Sequence, residues 1–263
     1  MFSKENEPIV LNDKNLIEKI FDFAYIMAND GLFYANFQGK RTKFDIFLNG
    51  FQGKIAEAAC INILIESGFD LSFEEHFDLD IKPKGTWDKG DIIIPNEDGE
   101  LKYIDVKSVK GNSEFLLIED FRHNMDGTPK YANADGTKHI LDAYSFVRVE
   151  FNKKLNFLNP FVYSKEEILE GLVITTTYMG SITRENFWRK KLIAPRGTKC
   201  YKENFMNIWK RKKFECEKDN KVINANRTKY LQVTNYLMHI SGLNLVDTIF
   251  GRQLKIKKAK QSA

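Results

Sequence analysis

The sequence predicts an α/β protein in which a central mixed β-sheet is flanked by helices. Two long segments place apolar residues at helical spacing, and several short runs of β-branched and aromatic residues are typical of strands. At 263 residues the chain can bury a sizeable core, in one large domain or two small ones. No internal repeat and no low-complexity linker interrupts this pattern, which therefore predicts a folded globular protein.

Two helices are predicted in the first part of the chain. The first covers residues 13–30. Residues 31–50 contain glycine, aromatic and basic residues, and we expect them to form a loop over the helix that follows. That second helix runs from Phe51 to Gly68, because glycine often stands just after a helix C-terminus. Its middle is nearly all small or apolar, so we expect most of its surface to be buried.

Alternation of apolar and polar residues predicts a strand over residues 69–81, bent near Glu75. Strands are also predicted at Ala143–Phe151 and Leu172–Thr177, where β-branched and aromatic residues predominate. Residues 111–138 leave the choice open, because Phe115–Phe121 fits a strand or a helix and residues 123–138 are rich in turn-forming residues. A loop of this length in a compact domain tends to be functional or mobile.

The C-terminal part is predicted to be mainly helical. A soft boundary near residue 181 divides the chain into residues 1–181, with the N-terminal helix and the core, and residues 182–263. The alternative is that the two parts form one domain. The predicted helices of this part are Ser181–Lys191, Glu203–Lys213 and Tyr230–Ile240, with a loop from Ile193 to Thr198.

The net charge of +4 conceals a strong asymmetry between these two parts. Residues 182–263 contain 20 Lys and Arg against 6 Asp and Glu, whereas residues 1–181 contain 20 basic and 30 acidic residues. This division favours a polyanionic partner for the C-terminal part, since lysine and arginine neutralise phosphates and release counterions. The alternative is a solvated basic surface. The candidate DNA contacts are Arg184, Arg189, Lys190, Lys191, Lys210, Arg211, Lys212 and Lys213.

Composition also argues against other classes of protein. No run of about 18 apolar residues is present, so no transmembrane helix is expected, and the polar N-terminus is unlike a signal peptide. The three cysteines (Cys60, Cys200 and Cys216) are scattered, and the four histidines share no metal-ligand spacing. A cytoplasmic location without membrane contact is therefore expected.

The most informative residues are Asp91, Asp105 and Lys107. Asp91 opens a β-branched run, turn-forming residues follow at 96–99, and the other two lie in the predicted strand Tyr103–Val109. Because side chains alternate along a strand, Asp105 and Lys107 share one face of the predicted hairpin. Aspartate is depleted in strands, and a residue that opposes local propensity marks a functional position. Carboxylates beside a lysine suit Mg²⁺ chemistry. The alternative is a half-exposed hairpin with surface charges.

A further candidate, Glu57, lies in the middle of the apolar second helix. A buried carboxylate must be paired or bound to a metal ion, so Glu57 is predicted to face Asp91 as a metal ligand or as a support for one. The alternative places Glu57 on a narrow exposed stripe with Lys54 and Asn62.

Taken in order, these residues resemble the motif of the PD-(D/E)XK nuclease superfamily, whose best-known members are type II restriction endonucleases. That motif comprises a helix with a glutamate, a strand that opens with an aspartate, and a strand with Asp or Glu, any residue, and Lys. Glu57, Asp91 and Asp105-Val106-Lys107 match these positions, with thirteen residues between the two aspartates.

The resemblance implies a restriction-endonuclease-like core that hydrolyses DNA phosphodiester bonds with Mg²⁺. Under it, Asp91 and Asp105 hold one or two Mg²⁺ together with the backbone carbonyl of Val106. Glu57 supports the metal or a water, and Lys107 positions or activates the attacking water. Double-stranded DNA and a second copy of the chain are the implied partners, since a two-fold symmetric enzyme matches a palindromic site.

The resemblance extends from Gly50 to Gly180 and departs from the motif at Gly90, where proline is usual. Two alternatives to a restriction endonuclease stay open. One is another nuclease of the same superfamily, acting in repair, recombination or phage biology. The other is a non-catalytic DNA-binding protein with a structural acidic pair, against which the intact motif argues.

Overall fold

The structure, a computed structural model, describes residues 7–30, 42–81, 90–95, 99–110, 113, 115–119, 141–190, 192–194 and 235–239. The helices are α1 (Lys14–Asp30), α2 (Lys43–Glu66), α3 (Phe73–His76), α4 (Lys165–Leu169) and α5 (Arg184–Lys190), and a 3-10 turn covers Leu155–Leu158. The strands are β1 (Ile9–Leu11), β2 (Ile92–Pro95), β3 (Leu101–Lys110), β4 (Phe115–Glu119), β5 (Ala143–Phe151), β6 (Ile174–Thr183), β7 (Leu192–Ala194) and β8 (Asn235–His239).

A five-stranded mixed sheet forms the centre of this α/β protein, with the strand order β1-β6-β5-β3-β2. β2 and β3 form the predicted antiparallel hairpin, β3 runs parallel to β5, and β5 pairs antiparallel with β6. The prediction of a strand at Ala143–Phe151 is confirmed with the same bounds. Because β2 is the last strand of the sheet, the start of the hairpin lies at a sheet edge.

Each side of this sheet contributes to a different apolar cluster. Ile104 and Val106 of β3 are buried in the cluster that contains α1 and α2. Tyr144 and Phe146 of β5 are buried in the other cluster, together with Phe187 of α5. The sheet is therefore covered by helical residues on both sides, as expected for a central sheet.

The helix α2 is longer than the sequence predicts. The loop expected at residues 31–50 is wrong for residues 43–50, which are helical. The physical reason is a capping box: Thr42 Oγ1 accepts the N–H of Asp45 at 3.1 Å, and Asp45 Oδ2 accepts the N–H of Thr42 at 3.0 Å. At the other end Gly68 has a φ of 91°, so the predicted termination is confirmed.

The strand predicted over residues 69–81 is also wrong, because this segment contains the single helical turn α3. Phe73 and Phe77 stack with ring centroids 5.0 Å apart, a contact that fits a spacing of four residues in a helical turn. Phe69 is buried, and both Phe73 and Phe77 pack against the α2 cluster. These three aromatic residues thus reach the core without a partner strand.

The strand β6 continues beyond its predicted end at Thr177 and reaches Thr183. It carries an irregularity where its pairing shifts between Phe146 and Val147 of β5. The helix predicted to begin at Ser181 therefore starts later, at Arg184. Ser181 stays in the sheet because its hydroxyl lies 2.6 Å from that of Ser145, inside the core.

A second sheet joins β4, β8 and β7 in that order, with both pairings antiparallel. The open choice at Phe115–Glu119 is thus resolved as a strand. The helix predicted at 230–240 is wrong at Asn235–His239, and the predicted loop is wrong at Ile193–Ala194. Short apolar runs of this kind do not distinguish helix from strand by periodicity, and the cross-strand partner decides.

Some predictions fall outside the described residues. These are the turn at 96–98, most of the segment 111–138, and the helix Glu203–Lys213. The division of the chain near residue 181 stays a prediction. None of the helices that the structure describes is both long and apolar enough to span a bilayer.

Replacing Thr42 with alanine tests the start of α2. Loss of the side-chain acceptor should lower the free energy of unfolding by about 1 kcal/mol, measured by urea denaturation. Ser72 is the matched control, because it precedes α3 without a side-chain cap bond. Ser72→Ala should therefore change stability less. Equal effects of the two substitutions would contradict the capping box.

Candidate active site

The hairpin places Asp105 and Lys107 on the side of the sheet opposite α2. They alternate along β3 with Ile104 and Val106, which are buried against α1 and α2. In the parallel pairing with β5, Asp105 lies beside Tyr144, on the second apolar side. Lys107 Nζ donates to Asp105 Oδ1 at 2.6 Å, and the side chain of Lys107 is 38% exposed while that of Asp105 is 16% exposed. The lysine is the more accessible member of this ion pair.

Asp91 lies immediately before β2, at the edge of the sheet. Its N–H donates to the carbonyl of Ile104 at 3.0 Å, and its Oδ2 accepts the N–H of Val106 at 2.6 Å. The pairing of β2 with β3 ends at Ile92 and Ile104, so Val106 has no ladder partner in β2. The carboxylate of Asp91 takes the place of that missing partner.

The backbone carbonyl of Val106 belongs to the same edge. In a strand, the N–H and C=O of one residue point to the same neighbour. Since the N–H of Val106 points to Asp91, its carbonyl points to the same edge as well. The carbonyl and the carboxylate of Asp91 are therefore neighbouring oxygen groups.

Glu57 approaches Asp91 from the other side of the sheet, on α2. Its Oε2 accepts from Lys54 Nζ at 2.6 Å, and the side chains of Lys54 and Glu57 are only 15% and 13% exposed. The alternative of an exposed stripe shared by Glu57, Lys54 and Asn62 therefore fits only Asn62, which is exposed. Lys54 and Glu57 are largely covered and form an ion pair with each other. Sequence reasoning did not single out Lys54, because a lysine three residues before a glutamate is common on solvated helices.

The electrostatics of Asp91 connect these groups into one site. Burial raises the pKa of Asp91 well above its usual range, and the carboxylates of Glu57 and Asp105 raise it further. Lys107 and Lys54 lower the pKa of Asp91 and so oppose this effect. Charges that act on Asp91 thus come from both sides of the sheet: two carboxylates, Glu57 and Asp105, and two lysines, Lys54 and Lys107.

These carboxylates are occupied by protein donors. Among the described residues, no three or more His, Cys, Asp or Glu side chains lie close enough together to hold a metal ion as they stand. Lys54 binds Glu57, Lys107 binds Asp105, and the N–H of Val106 binds Asp91. The donor chemistry nevertheless fits a hard divalent cation, because such a cation prefers oxygen ligands and would relieve the repulsion that raises the pKa of Asp91.

A buried polar chain lies beneath the site, between α2 and the sheet. The thiol of Cys60 is hydrogen-bonded to Ser145, whose hydroxyl contacts Ser181, and Ser181 contacts the hydroxyl of Tyr178. Burial is the main cause that raises the pKa of Cys60 to about 12. Cys60 is therefore a neutral thiol in the core, close enough to Asp91 and Glu57 for their charges to act on it.

The candidate DNA contacts are described only in part. Arg184 and Arg189 lie in α5, which packs through Phe187 and Trp188 against Tyr144. This contact places α5 on the side of the sheet that carries Asp105 and Lys107. Lys190 ends α5, whereas Lys191 and the run Lys210–Lys213 lie outside the described residues.

Comparison with known proteins found no matching family model, no similar curated protein and no similar solved structure. What the site can do therefore follows from its own chemistry and from the order of its residues along the chain.

Replacing Asp91 with asparagine tests the electrostatics of the site, because Asn keeps an acceptor oxygen for Val106 and removes the charge. The pKa of Asp91 is raised in the folded chain, so the folded chain binds the proton more tightly than the unfolded chain. Above the ordinary value of 3.8, ionisation of Asp91 then costs folding free energy, and this cost increases until the pH passes the folded pKa.

We therefore expect Asp91→Asn to be more stable than the wild type at neutral pH. This advantage should shrink as the pH falls and vanish below about 4, where the wild-type carboxyl becomes protonated in the unfolded chain as well as in the folded one. Urea unfolding at several pH values measures the difference. A variant that is less stable than the wild type at neutral pH would contradict the raised pKa.

Proposed function

We propose that this protein is a Mg²⁺-dependent DNA endonuclease of the PD-(D/E)XK type, acting as a site-specific type II restriction enzyme. One observation carries the proposal: at one sheet edge, Glu57 and Asp105 both act electrostatically on the buried Asp91, and Lys107 forms an ion pair with Asp105. They come from a helix, the start of a strand and the next strand, in the chain order of the motif. Simple DNA binding does not require three carboxylates at a place where phosphates would approach.

Each residue of the site would have its own role in phosphodiester hydrolysis. The carboxylates of Glu57, Asp91 and Asp105 and the carbonyl of Val106 would hold Mg²⁺. When bound there, Mg²⁺ would supply Lewis-acid stabilisation of the charge that develops on the phosphate. Lys107 is the more exposed partner of its ion pair, so its ammonium can turn from Asp105 to orient the attacking water or a phosphate oxygen.

Double-stranded DNA is the substrate that the charge distribution supports. The region 182–263 is strongly basic, and α5, with Arg184 and Arg189, lies on the side of the sheet that carries Lys107. Phosphate contacts from this region would bind the duplex, and base contacts in the major groove would select the site. A homodimer would match a palindromic site by symmetry.

Digestion of plasmid and phage DNA by the purified protein with Mg²⁺ tests the proposed function. Discrete fragments are expected, and they should disappear with EDTA and in Asp105→Asn, which removes one charged ligand. A smear of products would favour a nuclease without site selection, in repair, recombination or phage biology. DNA binding without any cleavage in Mg²⁺ or Mn²⁺ would contradict the proposal and favour a binding protein.

Replacing Lys107 with alanine should reduce the single-turnover cleavage rate by about 10²-fold or more, the usual range for a positioned proton-transfer group. The melting temperature should change little, because the side chain is 38% exposed. Lys102→Ala is the matched control. Lys102 lies on the same strand, and its Nζ forms an ion pair with Glu100 Oε2 at 2.8 Å, outside the site. A large loss of melting temperature with a normal rate would make Lys107 a structural ion-pair partner.

A further inference from the structure

Lys54 is the one lysine of the site that the nuclease motif does not include. Its Nζ lies 2.6 Å from Glu57 Oε2, and both side chains are largely covered. Solvated ion pairs on helices exchange readily with water and contribute little. This pair is different, because the protein covers both of its members.

Two aromatic rings fix the ammonium of Lys54 in place. Its Nζ lies 5.5 Å from the ring centroid of Phe23 in α1 and 6.0 Å from that of Phe77, which follows α3. These distances fit a cation–π contact, which favours a charged rather than a neutral group at that point. Residues from α1, from α2 and from the segment after α3 thus hold a positive charge against the carboxylate of Glu57.

A second lysine–carboxylate pair has a similar arrangement beside an aromatic ring but lies outside the site. Lys165 Nζ lies 2.7 Å from Asp22 Oδ2 and 6.0 Å from the ring centroid of Phe21. The side chain of Asp22 is 55% exposed. The Lys54–Glu57 pair differs because Lys54 also acts electrostatically on Asp91, the carboxylate at the centre of the site.

We propose that Lys54 is a positioning residue that acts as a built-in counter-ion: it holds Glu57 in the metal-free chain and must give up this carboxylate when a divalent cation binds. The inference rests on the proposed function and concerns the same centre. In the metal-free chain, Lys54 then reduces the repulsion between Glu57 and Asp91. It also weakens metal binding, because the cation must displace it from Glu57. The exchange sets the metal concentration at which the centre becomes loaded.

The experiment measures Mn²⁺ binding by calorimetry without DNA, so it does not depend on cleavage. Lys54→Met keeps the length of the side chain and removes the charge. We expect it to bind Mn²⁺ about tenfold more tightly than the wild type, because charges a few ångströms apart interact by several RT even at an effective protein dielectric. Lys54→Arg and the matched control Lys165→Met should bind Mn²⁺ like the wild type.

A double variant identifies the carboxylate that is exchanged. Glu57→Gln alone should weaken Mn²⁺ binding, and Lys54→Met should lose most of its gain when Glu57 is already Gln. Thermal melts give a second readout: without metal Lys54→Met should melt below the wild type, and saturating Mn²⁺ should raise its melting temperature more than that of the wild type.

One outcome would overturn only the role of Lys54: the wild type binds Mn²⁺ through Asp91, and Lys54→Met binds it with unchanged or lower affinity. Failure of the wild type to bind Mn²⁺ would overturn the metal centre, and with it both the proposed function and this inference. The two failures are therefore distinguishable in one set of titrations.

Discussion

The hydrogen bond from the N–H of Val106 to the carboxylate of Asp91 is the contact on which the site depends. It forms where β2 begins, and it completes the edge of the sheet with a side chain instead of a strand. The carboxylate is thereby held near the plane of the sheet. There it interacts electrostatically with Glu57 on the helical side and with Asp105 on the opposite side.

Repulsion from Glu57 and Asp105 disfavours the ionised form of Asp91, and two lysines, Lys54 and Lys107, oppose this effect. Each lysine binds one of the outer carboxylates at 2.6 Å, so the central one is left with a backbone donor and a raised pKa. The oxygen groups suit a hard divalent cation. On the proposed function, such a cation would replace the ammonium partners of these carboxylates.

The elements defined by local chemistry were predictable from the sequence, and those defined by distant partners were not. The hairpin and the strand Ala143–Phe151 were predicted because alternation and turn residues specify them locally. The strand expected at 69–81 and the helix expected at Asn235–His239 were wrong, because packing and pairing decide between the two in short apolar runs. Within the site, Lys54 was missed because its importance comes from two rings and a carboxylate that folding brings to it.

The central claim is that residues 57, 91 and 105–107 surround one divalent cation. In aerated buffer, Fe²⁺ with ascorbate reduces dissolved oxygen through peroxide to hydroxyl radicals at the place where the metal binds, and these radicals cleave the nearby polypeptide. Mass spectrometry of the fragments should show cleavage close to Glu57, Asp91 and Asp105–Lys107, and excess Mg²⁺ should suppress all three cleavages together. Cleavage confined to other parts of the chain, or cleavage at these positions that Mg²⁺ does not suppress, would contradict the claim.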